Sequence, residues 1–156
     1  MYFWRIKKLK EDLVERTLSE SETFQYVIAL TVLYGLAEVT LVTPLVAYNV
    51  WDVVSAVTVA VITILGTVYV YRCNLGKNGH NFLQKYISLG WVVGVRWFVL
   101  VALPATGAYI VFIAVTTALY TDLPEGTTLP DALFFSAVYI PYFWLLGKHM
   151  KDTVLA

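Results

Sequence analysis

Residues 88–104 read SLGWVVGVRWFVLVALP, an apolar stretch interrupted by one charge, Arg96. The apolar run continues on both sides, from Ile87 to Tyr120. As one helix it would extend about 51 Å at about 1.5 Å per residue, whereas the hydrocarbon core of a bilayer is about 30 Å thick. Either its first part lies along the membrane interface or its last part protrudes on the far side. Pro104 with Gly107 marks a plausible bend.

The composition indicates a membrane protein. Of 156 residues, 59% are hydrophobic and 14% are charged, whereas a soluble domain carries about a quarter charged residues. The charges are also clustered, which leaves apolar runs longer than a soluble core helix needs. We therefore predict an all-α integral membrane bundle that forms a single domain over residues 1–156.

Four apolar segments predict four transmembrane helices, at about residues 24–48, 53–71, 87–120 and 132–148. Ser19 with Glu22 can form a capping box that starts the first of them. Residues 1–22 precede this span and form an amphipathic segment. We expect it to lie in the lipid headgroup layer; the alternative is a solvated helix with an ordinary apolar stripe. The stripe comprises Tyr2, Ile6, Leu9 and Leu13.

The distribution of lysine and arginine predicts the topology. These residues occur in the N-terminal segment, in the connection after the second span and in the C-terminal tail, whereas the two other connections contain none. The positive-inside rule then places both termini and the middle connection in the cytoplasm. We expect the plasma (inner) membrane as the location and membrane lipid as a partner.

Glu38 and Arg96 are candidates for a proton or substrate site, or for a buried ion pair. Glu38 lies near the middle of its span and shares a helical face with Gly35, so it is expected to point into the bundle. It is either a functional carboxylate or a structural one. If the third span begins near Ile87, Arg96 lies about 14 Å deep, at about 1.5 Å per residue, within reach of Glu38. If the span begins near Arg96, which we favour, the arginine extends to the lipid phosphates.

Small residues predict where helices pack. Gly90 and Gly94 form a G-x-x-x-G spacing that permits close approach between helices. The second span carries a stripe of small residues expected to face the inside of the bundle, and Gly35 lies on the inward face of the first span. The stripe comprises Ala56, Ala60, Thr63 and Thr67.

Several classes of function are disfavoured. The formal net charge is zero, so no overall field indicates a nucleic-acid partner. Cys73, His80 and His149 fit no zinc template by their spacing. We find no phosphate-loop or hydrolase motif, and the spans contain no histidine for haem. No catalytic residue, metal or cofactor is predicted, and the chain is not expected to be an enzyme.

The four residues Leu36-Ala37-Glu38-Val39 resemble the glutamate motif of small multidrug resistance transporters. That resemblance implies a four-helix protein that exchanges protons for cations at a membrane-embedded carboxylate. The chain departs from the family in its amphipathic start, its long third apolar run and its polar middle connection. The third and fourth spans hold no matching motif, so the chain is not assigned to this family.

Two functions remain open. The first, which we favour, is a non-enzymatic subunit or scaffold that packs as a homo-oligomer or with a larger membrane partner. The second is a small proton-coupled transporter or channel that uses Glu38, whose buried carboxyl could release its proton when a cation arrives. The state of Glu38 discriminates them: it is either paired with Arg96 or alone facing water.

Overall fold

The described part of the chain is all-helical in class, with short connections between the helices. The computed structural model describes residues 2–41, 49–119 and 128–154, and for residues 33–41 and 117 the backbone alone. Within these ranges a 3₁₀ turn covers Gly76–Asn78, a π-helical segment covers Phe98–Ala102, and no strand occurs. The six α-helices are α1 (Ile6–Val14), α2 (Glu20–Leu41), α3 (Val50–Cys73), α4 (Phe82–Trp97), α5 (Leu103–Leu119) and α6 (Leu129–Asp152).

Three helical stretches are long and apolar enough to cross a membrane: Val50–Cys73, Phe82–Thr116 and Leu129–Asp152. They correspond to the second, third and fourth predicted spans, and each extends beyond the predicted N-terminal boundary. The chain therefore has the character of a helical membrane protein. The first predicted span, 24–48, runs past the described part of α2, so it stays a prediction.

Local hydrogen bonds explain where three helices begin. The predicted capping box is confirmed: the Ser19 backbone N–H donates to Glu22 Oε2 at 3.1 Å, and the Glu22 N–H donates to Ser19 Oγ at 3.2 Å. The bonds that Glu22 Oε2 accepts from the Ser19 N–H and hydroxyl lower the pKa of the Glu22 carboxyl below its usual value. Asn49 caps α3 and Thr128 caps α6 by the same reciprocal arrangement, with an aspartate at the third helical position.

The third apolar run is one continuous helical path from Phe82 to Leu119 with a local change of pitch. The π-helical segment Phe98–Ala102 ends where the Leu103 N–H donates to the Phe98 carbonyl, five residues back. Pro104 follows directly and has no N–H to donate, and its ring would clash with a carbonyl of a regular turn. The irregularity predicted at Pro104 and Gly107 is therefore located just before the proline, as a π-bulge.

Helices α3 and α6 run parallel and form the main helix pair. The Phe143 ring of α6 lies against Gly66 of α3, and the Tyr69 ring of α3 lies against Gly147 of α6. A Cβ atom at either glycine would overlap the ring that faces it. Each helix thus inserts an aromatic ring into a gap that the other leaves, which brings the two backbones close together.

The buried side chains concentrate at one end of the molecule. This charge-rich end consists of residues 2–18, the connection 74–81 and the last turns of α6, and it is filled by Leu89, Val92, Leu146 and Met150. The α1 side chains Ile6, Leu9 and Leu13 belong to the same core. The apolar stripe of α1 therefore packs against protein, and the location of residues 1–22 in the headgroup layer stays a prediction.

Replacing Gly147 with leucine is expected to destabilise the protein by about 1–3 kcal/mol, because the new side chain overlaps the Tyr69 ring. The measurement is the free energy of unfolding in detergent. Gly107→Leu is the matched control, since a side chain there meets no atom within 4 Å. Adding Tyr69→Ala should restore part of the loss. Equal effects at both glycines would contradict the packing.

Candidate functional site

The proposed partners Glu38 and Arg96 are described to different extents. Glu38 and Gly35 belong to α2 by their backbone, but their side chains lie outside the described residues. The ion pair between Glu38 and Arg96, and the inward face of Gly35, therefore stay predictions. Arg96 itself is described, in the last turn of α4.

Arg96 lies beside the N-terminal segment. Its guanidinium carbon is 5.2 Å from the centre of the Trp4 ring, a cation–π distance. The Nε atom is buried and has no hydrogen-bond partner among the described residues. This contact puts the arginine next to the N-terminal segment, and its depth in the membrane stays a prediction.

An ion pair between distant parts of the chain holds α1 onto α6. Lys10 Nζ lies 2.8 Å from Asp152 Oδ2, and His149 Nδ1 lies 3.6 Å from the same carboxylate oxygen. The Tyr2 N–H also donates to the Tyr26 hydroxyl at 2.7 Å. Sequence reasoning missed the Lys10–Asp152 pair because no local pattern links residues so far apart along the chain.

The G-x-x-x-G motif of α4 faces an aromatic ring of α6. A Cβ atom at Gly90 would lie 3.3 Å from the Tyr142 hydroxyl, and one at Gly94 would lie 3.7 Å from the same ring. The hydroxyl donates to the Gly90 carbonyl at 3.4 Å. The predicted packing role of both glycines thus corresponds to a close contact within the chain, between α4 and α6.

The small-residue stripe of α3 is mostly exposed in the single chain. Ala56, Ala60 and Thr63 are exposed. Thr67 alone meets another helix, where its Oγ1 lies 3.1 Å from the Tyr86 hydroxyl oxygen of α4. The expectation that the stripe faces the inside of this bundle is corrected, since the side of α3 that packs on α6 carries Gly66.

A second polar cluster lies at the end of the molecule opposite to α1. The Tyr109 hydroxyl of α5 donates to Asp131 Oδ1 at 2.6 Å, and its ring stacks on Phe134 with centroids 4.2 Å apart. Thr128 also hydrogen-bonds to Asp131. The contact joins α5 to the start of α6. The sequence shows the capping pattern formed by Thr128 and Asp131, but it does not show that Tyr109 binds Asp131.

The described residues provide no evident metal centre. Among residues 2–41, 49–119 and 128–154, no group of three or more histidine, cysteine, aspartate or glutamate side chains is placed to hold an ion. Cys73 is buried as a free thiol. His149 lies beside Asp152, whereas His80 lines a separate cavity.

The contact between Trp4 and Arg96 predicts a coupling free energy of about 0.5–1 kcal/mol in a double-mutant cycle of Trp4→Leu and Arg96→Gln, measured as stability in detergent. Phe3→Leu is the matched control, because Phe3 contacts Trp91 instead, and its effect should add to that of Arg96→Gln. Coupling above about 1 kcal/mol between Glu38→Gln and Arg96→Gln, with none at Trp4, would indicate the buried ion pair.

The comparisons with known proteins assign no family. The chain matches no protein-family model, no curated protein and no solved structure. Its function is therefore argued from its own residues.

Proposed function

We propose that the chain is a non-enzymatic subunit of the plasma (inner) membrane that associates with copies of itself or with a larger membrane partner. It would cross the membrane four times with both termini in the cytoplasm. The observation that carries the proposal is the exposed stripe of small residues on α3. Its exposed members are Ala56, Ala60 and Thr63.

The directions of the helices support this topology. Gly66 and Tyr69 of α3 meet Phe143 and Gly147 of α6 in the same order, so these helices are parallel. Helix α4 runs in the opposite direction, since its Gly90 meets Tyr142 of α6, whereas Tyr109, further along the same helical path, meets Asp131. The charge-rich segments therefore come together at one end, as the positive-inside rule requires of a cytoplasmic side.

The stripe is suited to contact with another helix. It lies about a third of a turn around α3 from the Gly66 side that packs on α6, so a second helix can approach without displacing α6. Helices in lipid gain little by hiding apolar surface, because lipid tails are equally apolar. Association instead depends on close backbone approach at small residues. Ala60, at the centre of the stripe, allows such an approach.

Ala60→Leu is expected to weaken self-association by at least about fivefold, since a coupling of about 1 kcal/mol corresponds to that factor. The measurement is energy transfer between labelled chains in lipid vesicles as the protein-to-lipid ratio is varied. Val61→Leu is the matched control, because Val61 is also exposed, at 48%, but lies off the stripe. Unchanged association in the Ala60 variant would contradict a homo-oligomer through this face.

The transporter alternative depends on Glu38, which lies in α2 within the four residues that resemble the multidrug transporter motif. If it applies, Glu38→Gln should abolish the uptake of a lipophilic cation by vesicles under an imposed pH gradient. Glu20→Gln, an exposed glutamate in the first turn of α2, should retain it. The absence of gradient-driven uptake by the unmodified chain would count against the transporter and leave the subunit proposal standing.

A further inference from the structure

A polar cavity of about 290 Å³ lies at the charge-rich end. It forms where the end of α1, the connection 74–81, the start of α4 and the residues after α6 leave space between them. A single water needs only about 10–15 Å³ of such volume, so the cavity admits a larger group. Among the described residues that line it are two cations, Arg16 and Lys85, and no carboxylate; Asn78, His80, Asn81 and Thr153 add polar groups.

Lys85 is a buried cation without an anionic partner in the described part of the chain. Lys85 as a whole residue is 8% exposed. The ammonium donates to Asn74 Oδ1 at 3.3 Å and to the Thr153 carbonyl at 3.4 Å. Both acceptors are neutral, and both distances exceed the 2.7–2.9 Å or so typical of a charge-assisted hydrogen bond. Burial of a charge is costly unless it is paired, so this ammonium lacks most of its compensation.

The start of α4 adds further positive potential to the same place. Asn81 precedes the helix with φ of 52°, and its side chain makes no capping hydrogen bond. The first turn contains no acidic residue and ends at Lys85. The free N–H groups and the positive end of the helix dipole favour an anion there and disfavour a lysine. The sequence thus places a cation where an uncapped helix already presents partial positive charge.

The backbone around the cavity is held in costly conformations. Among the described residues, the non-glycine residues with positive φ are Arg16 at 56°, Leu75 at 64° and Asn81 at 52°. All three line the cavity. A left-handed conformation costs about 1–2 kcal/mol for a residue such as leucine, and strained backbone concentrates at ligand sites. Two of them, Arg16 and Leu75, directly follow the C-caps of α1 and α3, so the ends of these helices shape the cavity wall.

We propose that this cavity binds a phosphate group, with Lys85 and Arg16 as its cations and the positive end of the α4 dipole as a further attraction. A phosphate offers several strong acceptor oxygens and at least one negative charge, which match two cations and a helix N-terminus. The group belongs either to an anionic phospholipid headgroup or to a free phosphate. This inference does not depend on self-association through α3 or on Glu38.

The test uses the whole chain in nanodiscs and follows its thermal unfolding midpoint. In phosphatidylcholine discs, inorganic phosphate is titrated against sodium chloride at matched ionic strength. In parallel, discs containing phosphatidylglycerol are compared with phosphatidylcholine alone. Stabilisation is expected in one of these arms. Arg16→Gln should reduce the shift at least twofold and Lys85→Met should remove it, whereas Lys77→Gln, an exposed cation off the cavity, should leave it unchanged.

Arg16→Gln keeps the test decisive if Lys85→Met does not fold, because Arg16 is exposed and holds no core position. A phosphate-dependent shift in phosphatidylcholine discs identifies a free phosphate as the ligand. A shift only in phosphatidylglycerol discs identifies a lipid headgroup. The proposal is overturned if neither arm shows a shift, if chloride reproduces it, or if Arg16→Gln and Lys77→Gln behave alike.

Discussion

The parallel contact between α3 and α6 is the constraint on which the arrangement of the other helices depends. In lipid the burial of apolar surface contributes little free energy to helix association, so close packing of complementary shapes has to stabilise the contact. Here two glycine–aromatic contacts do so, with Phe143 seated on Gly66 and Tyr69 on Gly147. Since parallel helices need a long crossover between them, the helical path of α4 and α5 must return along the pair in the opposite direction.

That return path explains the buried end of the molecule. Tyr142 of α6 enters the gap left by Gly90 and Gly94 of α4, which brings the start of α4 to the ends of α3 and α6. Lys85 then hydrogen-bonds to Asn74 after α3 and to Thr153 after α6. Helix α1 closes the same end from outside through its apolar stripe. The polar cavity is the space that remains between these converging ends.

Features set by neighbouring residues could be predicted from the sequence, whereas the faces that pack together could not. Apolar run length predicted four spans, three of which correspond to helices long and apolar enough to cross a membrane, and Ser19 with Glu22 predicted a cap. In a soluble helix, apolar periodicity would also show the inner face, but lipid and protein interior are equally apolar and that contrast disappears. Small-residue spacing then selected the Ala60 face of α3, while the structure packs the Gly66 face. No local pattern marks Lys85 as buried, because burial is a tertiary property.

Topology alone does not account for Lys85. The positive-inside rule is satisfied by any lysine or arginine close to a span, and Arg72 at the end of α3 and Lys77 in the connection already provide exposed charges at the same end. An exposed lysine at residue 85 would serve equally and would avoid the cost of desolvation. The structure instead buries this ammonium at the positive end of a helix, near Arg16. Lys85 could link the ends of α3 and α6 by hydrogen bonds to Asn74 and Thr153 without carrying a charge, because both acceptors are neutral. The proposed anion, bound from outside the chain, accounts for the charge of Lys85. The uncapped start of α4 also favours an anion at this place.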